Sequence, residues 1–395
     1  MSRFDVLVSG SGVVGAVAAL GLARAGLEVA LIERAPAPAA ATLPDNRRVV
    51  ALSPASVRIL SALGQWPLPP TAAAAYRQMQ VQAGAHQVFF DQAAVGAAAL
   101  GWIVDLHALQ RQLWQALPAT VQVYAPARID RTWIAADTLH AALDDRQELS
   151  ARLLIAAEGG RSDLRERAGI GVSGRDYQAS ALTAQVSSAS PNPGIAFQRF
   201  ARGGPLALLP LADGRSSLVW TRPQAEAARL AELCDAEFIA ELESAGGDRF
   251  GRVDAVAARQ AFPLRLQLAE RVSAERLLLI GDSAHVVHPL AGLGLNLGML
   301  DAAALIDVVS QARARSRDIG AASTLARYAA WRHGDNLLAA RLIDRIEQTF
   351  GGAPTALGEL AARGLDLADA LAPLKHFFAR QAAGWGGRVP QLARQ

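Results

Sequence analysis

Two glycine-rich segments hold the residues whose types and spacing could do chemistry. The first is Gly10-Ser11-Gly12-Val13-Val14-Gly15. The second, about 270 residues later, runs Gly281-Asp282-Ser283-Ala284-His285 and continues His288-Pro289-Leu290-Ala291-Gly292-Leu293-Gly294-Leu295-Asn296-Leu297-Gly298. In the first, Gly10 permits a tight turn, Gly12 lets backbone approach a diphosphate, and Gly15 lets helix and strand pack closely. The diphosphate then sits on N–H groups at a helix start, here those around Val13 and Val14. Glu33, followed by Arg34, lies about 20 residues on, where a carboxylate accepts the ribose hydroxyls of an adenosine. Alone, this fingerprint does not separate FAD from NAD. In the second segment Gly281 and Asp282 close an apolar run, so the carboxylate points into a ligand crevice and can accept from a ribityl chain. Gly292, Gly294 and Gly298 open a helix whose N–H groups could face the pyrimidine end of an isoalloxazine, with Leu295 and Asn296 also candidate cofactor contacts. Both segments on one chain, in this order, point to FAD.

The elements that must position these residues are legible around them. Phe4-Asp5-Val6-Leu7-Val8 and Val29-Ala30-Leu31-Ile32 read as buried parallel strands flanking a small-residue helix, Ala16 to Ala25. Leu277 to Ile280 is another such strand, and Met299 to Val309 continues the later helix. Gln78 to Ala83 and Gln87 to Asp91 look like strands leaving the nucleotide unit; a helix at Leu106 to Leu117 and strands around Val121 and Leu153 return to it. Alternating segments between about 175 and 268 suggest a mixed sheet. From Ser323 the chain reads as helices: Leu325 to Phe350, Ala356 to Ala370 and Leu374 to Ala383. The expected architecture is α/β: a discontinuous FAD-binding unit (1–75, 100–174, 269–322), an interleaved sheet domain (76–99, 175–268) and a helical region from 323 to 395.

Composition narrows the function classes. Cys234 is the only cysteine and Lys375 the only lysine, so an internal disulfide, a thiolate pair and a Walker-type phosphate lysine are excluded. A formal net charge of +3 on 395 residues asks for no nucleic-acid partner. His285 and His288 read as packing residues, since no Cys or acidic partner is spaced for zinc; no metal is expected. The N-terminus enters a strand at once and leaves no room for a signal peptide, which suits the cytoplasm. The longest apolar stretch, Val13 to Ile32, is broken by charges and carries the dinucleotide pattern, so it is not a membrane span.

The two motifs and most of residues 4 to 385 resemble the aromatic-ring flavoprotein monooxygenases, and within them the ubiquinone-biosynthesis hydroxylases. The His288-Pro289-x-Ala291-Gly292-x-Gly294-x-Asn296-Leu297-Gly298 run carries that resemblance most specifically. It implies FAD, with NAD(P)H as co-substrate. It also implies that Arg48 and Arg111 contact phosphate or flavin, that Pro289 lines the flavin face, and that Glu158-Gly159 lies near FAD and the pyridine nucleotide. Three positions depart from the pattern: Glu158 replaces Asp, Leu106 replaces Asn, and Leu293 replaces Gln.

Side chains cannot activate dioxygen for attack on a ring, so a cofactor must. The leading expectation is a ring hydroxylase of a polyprenyl phenol or quinol. No acid–base pair announces itself, and the catalytic residues are left open. The three departures motivate a second reading, a non-catalytic scaffold or lipid carrier in a biosynthetic complex; a third is a monooxygenase of a soluble aromatic. A polyprenyl substrate would bring peripheral contact with the inner membrane, with the stripe Leu337, Leu338, Leu342, Ile343 and Ile346 or the segment Leu374 to Phe378 as candidates. The stripe reads more simply as buried against the protein's own body.

Overall fold

The computed structural model describes residues 2–38, 48–201, 203–246, 252–289, 292–350, 380 and 382–394. The expected helices at 356–370 and 374–383, and the segment Leu374 to Phe378, lie wholly or mostly outside them. The helices are α1 (Val13–Arg24), α2 (Pro54–Ala62), α3 (Leu106–Gln115), α4 (Asp163–Arg167), α5 (Gln224–Glu232), α6 (Asp235–Gly246), α7 (Leu293–Ala314) and α8 (Ala322–Phe350).

Continuous apolar runs form the strands of the first sheet, since both its faces are covered. Its order is Ser273–Ala274, Leu277–Leu279, Glu148–Ala156, Ser2–Ser9, Val29–Ile32, Val121–Tyr124, and the last five are parallel neighbours. A hairpin, Ile129–Ala135 with Thr138–Leu143, extends it antiparallel through Glu148–Ala156. Small residues on α1 let α7 approach closely: a Cβ on Gly21 would fall 2.2 Å from Ile306 Cδ1. By length and composition α7 could cross a membrane. Here it is a core helix, its Asp301 and Asp307 both buried.

The second sheet runs His285–Val286, Val253–Ala269, Val172–Ser188, Ser216–Pro223, Gly204–Pro210, Ile195–Ala201, Gln78–Ala83, His86–Asp91. All neighbours are antiparallel except Ile195–Ala201 with Gln78–Ala83. Alternation sorts its faces. Leu182, Val186, Phe197, Leu206, Leu218 and Trp220 form one cluster with Phe238 and Leu242 of α6 and Leu230 of α5. The intervening residues point the other way. A three-stranded sheet, Val49–Leu52, Gly101–Asp105 and Ala73–Tyr76, touches α7 and the strand Gly204–Pro210. Helix α8 joins all layers: Tyr328 donates to Leu279 O at 3.2 Å, while Ala340 and Ile343 pack with Leu266 and Val287.

Candidate cofactor and active site

Strand register assembles the site. Ser9 pairs with Ile32 on one side and Ala156 on the other, and Ala156 pairs with Leu279. Four parallel strands therefore end in one row. The residues that follow them, Gly10, Glu33, Glu158 and Gly281-Asp282, share one rim, where ligands bind open α/β sheets. Gly10 has φ +100°, and its Cβ would lie 2.3 Å from Ala157 O; a Cβ on Gly15 would lie 1.9 Å from Gly10 O. Gly12 differs: a Cβ there meets nothing within 4 Å, and its φ of −54° suits any residue. The fold itself needs Gly10 and Gly15, whereas Gly12 is needed only by something that comes to its backbone. That opening fits a diphosphate.

Glu33 accepts from Ser11 N (2.8 Å), Ser11 Oγ (2.7 Å) and Ala35 N (2.9 Å). Burial alone would raise its pKa, but these bonds and the charge of Arg34 bring it below the usual value. Gln110 Nε2 and Trp114 Nε1 on α3 both donate to Ser11 O, at 3.4 and 3.3 Å. These two loop supports were not anticipated; their i, i+4 spacing on an amphipathic helix is the one signal that could have flagged them. Arg111, between them, is half-buried.

Asp282 touches solvent at the rim, yet the surrounding protein raises its pKa, against the pull of His285 and Arg48. The Arg48 guanidinium in turn lies 5.5 Å over the Phe262 ring of the second sheet. The turn before Asp282 is fastened from below. Asp301 Oδ2 accepts from Gly281 N (3.1 Å) and pairs with His285 Nε2 (2.6 Å). Its Oδ1 accepts from Arg332 Nε and Asn336 Nδ2, both at 2.8 Å. His285, read above as a packing residue, therefore belongs to a buried ionic network. His288 is buried edge-on to Tyr177, and its pKa falls to about 4, mostly through burial.

At the later helix Gly292 takes φ +61°, and Gly298 leaves room for Val14, which lies 2.7 Å from where its Cβ would be. Pro289 is exposed at the rim and Leu295 is half-buried against the main core; Leu290 and Ala291 lie outside the described residues. The side chain of Asn296 is taken up within the protein. Its Nδ2 donates to Ala51 O and Gly292 O, both at 2.8 Å, while Oδ1 accepts from Ser53 N (2.8 Å) and Ser56 Oγ (2.7 Å). An amide has two donors and two acceptor positions, and all four are used. Its side chain ties the helix start to the strand Val49–Leu52 and to α2, so a contact with flavin would fall to backbone N–H groups.

Glu158 also spends its carboxylate inside the protein. It accepts from Ser9 Oγ (2.7 Å), Ser162 Oγ (2.7 Å) and Leu164 N (3.1 Å), so the longer side chain ties the rim to the start of α4. Gly159, at φ +83°, has open space beside it. Leu106 packs against the main core, and Leu293 joins Leu297, Phe200 and Ile346. The two apolar departures thus extend packed surfaces.

The second sheet meets the site at its edge strand His285–Val286 and at Phe262, over which Arg48 lies. On its four central strands the positions turned inward are Ala181, Thr183, Gln185, Ser217, Val219, Thr221, Pro205, Ala207, Leu209, Ala196, Gln198 and Phe200. None is charged. Thr183, Val219, Ala207 and Leu209 are half-exposed on this face, so they border open space.

The comparisons agree with this geometry. The family model described as "FAD binding domain" matches residues 3–334. The chain belongs to this family. It is 35% identical to the ubiquinone hydroxylase UbiL of Rhodospirillum rubrum, over 99% of this chain and 92% of that one. It is likewise 35% identical to the 3-demethoxyubiquinol 3-hydroxylase of Escherichia coli, over 96% and 98%. Among solved structures, p-nitrophenol 4-monooxygenase from Pseudomonas putida superposes with a TM-score of 0.80 at 18% identity, covering 98% of this chain and 100% of that one. Fold and cofactor are thus as the two motifs suggested: this is a flavoprotein monooxygenase that uses FAD. The scaffold reading is not favoured.

Proposed function

We propose that this flavin monooxygenase hydroxylates an electron-rich ring that carries a polyprenyl tail, in ubiquinone biosynthesis. The observation that carries this reading is the uncharged inner face of the second sheet. A benzoate-type substrate would need a basic partner for its carboxylate, because an unpaired charge is expensive to bury; this wall offers none. An apolar tail asks only for surface such as Val219, Leu209 and Phe200. The names of the relatives from Rhodospirillum and Escherichia support the same substrate class.

Gly10, Gly12, Val13, Val14 and Gly15 would hold the diphosphate, with Glu33 and Arg34 on the adenosine. Gly281-Asp282 would hold the ribityl chain, Arg48 and Arg111 phosphate or flavin, and Pro289, Gly292, Gly294 and Leu295 the ring. Glu158 and Asn296 position this set through the bonds given above. Bound FAD, once reduced, supplies the electrophilic oxygen. The chain's own part is to orient the ring, exclude water and favour the phenolate form. The purified protein should show flavin absorbance at about one FAD per chain. It should oxidise NAD(P)H with a short-chain prenyl phenol at a kcat/KM at least about 100-fold above that for hydroxybenzoate. Equal or better turnover of hydroxybenzoate would sink the substrate assignment.

Such a substrate lives in a bilayer, and α8 offers a contact. Leu338 is 72% and Leu342 48% exposed, one turn apart, beside the exposed Arg341 and Arg345. Two apolar side chains flanked by cations suit the anionic cytoplasmic face of the inner membrane. Vesicles containing phosphatidylglycerol should co-sediment the protein, and Leu338→Asp with Leu342→Asp should weaken this about tenfold. No co-sedimentation of the parent would remove the membrane contact from the proposal.

A further inference from the structure

The inner wall is apolar apart from small hydroxyls and two buried amides. Gln185 is 5% exposed and Gln198 6%. Nε2 of Gln185 is sealed from solvent with no partner, whereas the amide of Gln198, which makes no hydrogen bond with any described residue, is not sealed off and borders the space before the wall. The contrast lies on the neighbouring strand. Gln80, just as buried, pairs with Phe197 and so shares the outer face, where its Nε2 donates to Gln87 Oε1 at 3.0 Å. On the outer face this amide is paired within the sheet, while on the inner wall neither amide is hydrogen-bonded, although leaving an amide without a partner in the interior costs stability.

Position separates the two inner amides. Gln198 is two residues from Phe200 on the same face, and Phe200, like Leu293 and Leu297 at the start of α7, packs against the cluster that contains Val287. That spacing puts Gln198 about 7 Å along the strand from Phe200, at the end of the wall nearer the later glycine motif. Gln185 stands three strands away from that strand, about 14 Å across the sheet. One ring oxygen cannot reach both.

We propose that Gln198 is the substrate-binding residue that fixes the ring, its Nε2 donating to the phenol oxygen. This rests on the hydroxylase reading and adds to it a demand for a free ring oxygen. The geometry suits the chemistry: a donated hydrogen bond favours the electron-rich phenolate, and the apolar surface around it takes the tail.

The test compares a short-chain prenyl phenol with its methyl ether on the FAD-loaded enzyme. Binding is read from the perturbation of flavin absorbance and turnover from NAD(P)H oxidation. Gln198→Leu should lower kcat/KM for the phenol about 10- to 100-fold and leave the ether nearly unchanged. FAD content should stay at the parent level. Gln198→Glu, of the same length but without the donor, should lose the phenol preference too and guards against a packing artefact of leucine. Gln80→Leu, on the outer face, should change stability alone. An undiminished phenol preference in Gln198→Leu and Gln198→Glu overturns the inference while the hydroxylase reading stands. So does loss of that preference in Gln185→Leu instead. A parent that neither binds nor turns over the phenol overturns both.

Discussion

Asp301→Ala is expected to destabilise the protein by about 3–5 kcal/mol and to lower its affinity for FAD at least tenfold. Asp301 is fully buried, and its partner Arg332 keeps only 3% of its side chain exposed. Removing the carboxylate leaves that guanidinium charged in a dry interior, and frees Gly281 N and His285 at the turn that carries Asp282. Burial by itself would raise the pKa of Asp301. The charges of His285 and Arg332, with hydrogen bonds from His285 and Asn336, hold it at about 2. The folded pKa is thus depressed, so the stabilisation is present above the ordinary value near 3.8 and lost as pH falls through about 2. Asp301→Asn, which keeps shape and loses charge, should therefore show a constant deficit in urea denaturation from pH 7 to about 4. Below that the deficit should narrow, by about 2 kcal/mol in all. Parent-like stability and FAD content in Asp301→Ala would mean that the network does not hold the turn.

The sequence made the chemistry legible where it is local. A glycine pattern after a short apolar run determines a turn, a helix start and a phosphate site within a dozen residues, and the strands at Phe4 to Val8, Val29 to Ile32 and Leu277 to Ile280 form as read. What joins the motifs is register, with Ser9 level with both Ile32 and Ala156, and no local pattern encodes that. The Asp301 network was missed for the same reason. Its members come from a 3-10 turn, the strand His285–Val286, α7 and α8, and a single Asp in an apolar helix announces no partner. Asn296 shows the other limit, since its place among glycines suggested a ligand contact while nothing local announced that its side chain makes four bonds within the protein. On α8 the apolar positions were read as one stripe. At about 100° per residue, Leu338 and Ile343 lie roughly 140° apart, and accordingly Ile343 is buried while Leu338 is exposed.

Gly12→Ala and Gly15→Ala should fail in opposite ways, and the contrast tests the diphosphate site. The Gly15 Cβ would lie 1.9 Å from Gly10 O, backbone that cannot step aside without moving the first strand from α1. That overpacking should destabilise the fold by about 1–3 kcal/mol or more and remove FAD with it. Gly12 caps α1 with extended backbone that alanine adopts freely, in open space. Its substitution should change the apoprotein's stability by no more than about 1 kcal/mol, the ordinary loss at a helix cap. The new methyl group nonetheless stands where the diphosphate must meet the N–H groups of Val13 and Val14. FAD affinity should fall at least about 100-fold, equivalent to some 2.7 kcal/mol. Thermal unfolding of apoprotein alongside flavin titration separates the two effects. A Gly12→Ala protein that binds FAD like the parent would place the diphosphate elsewhere on the rim, and the open space beside Gly12 would then need another explanation.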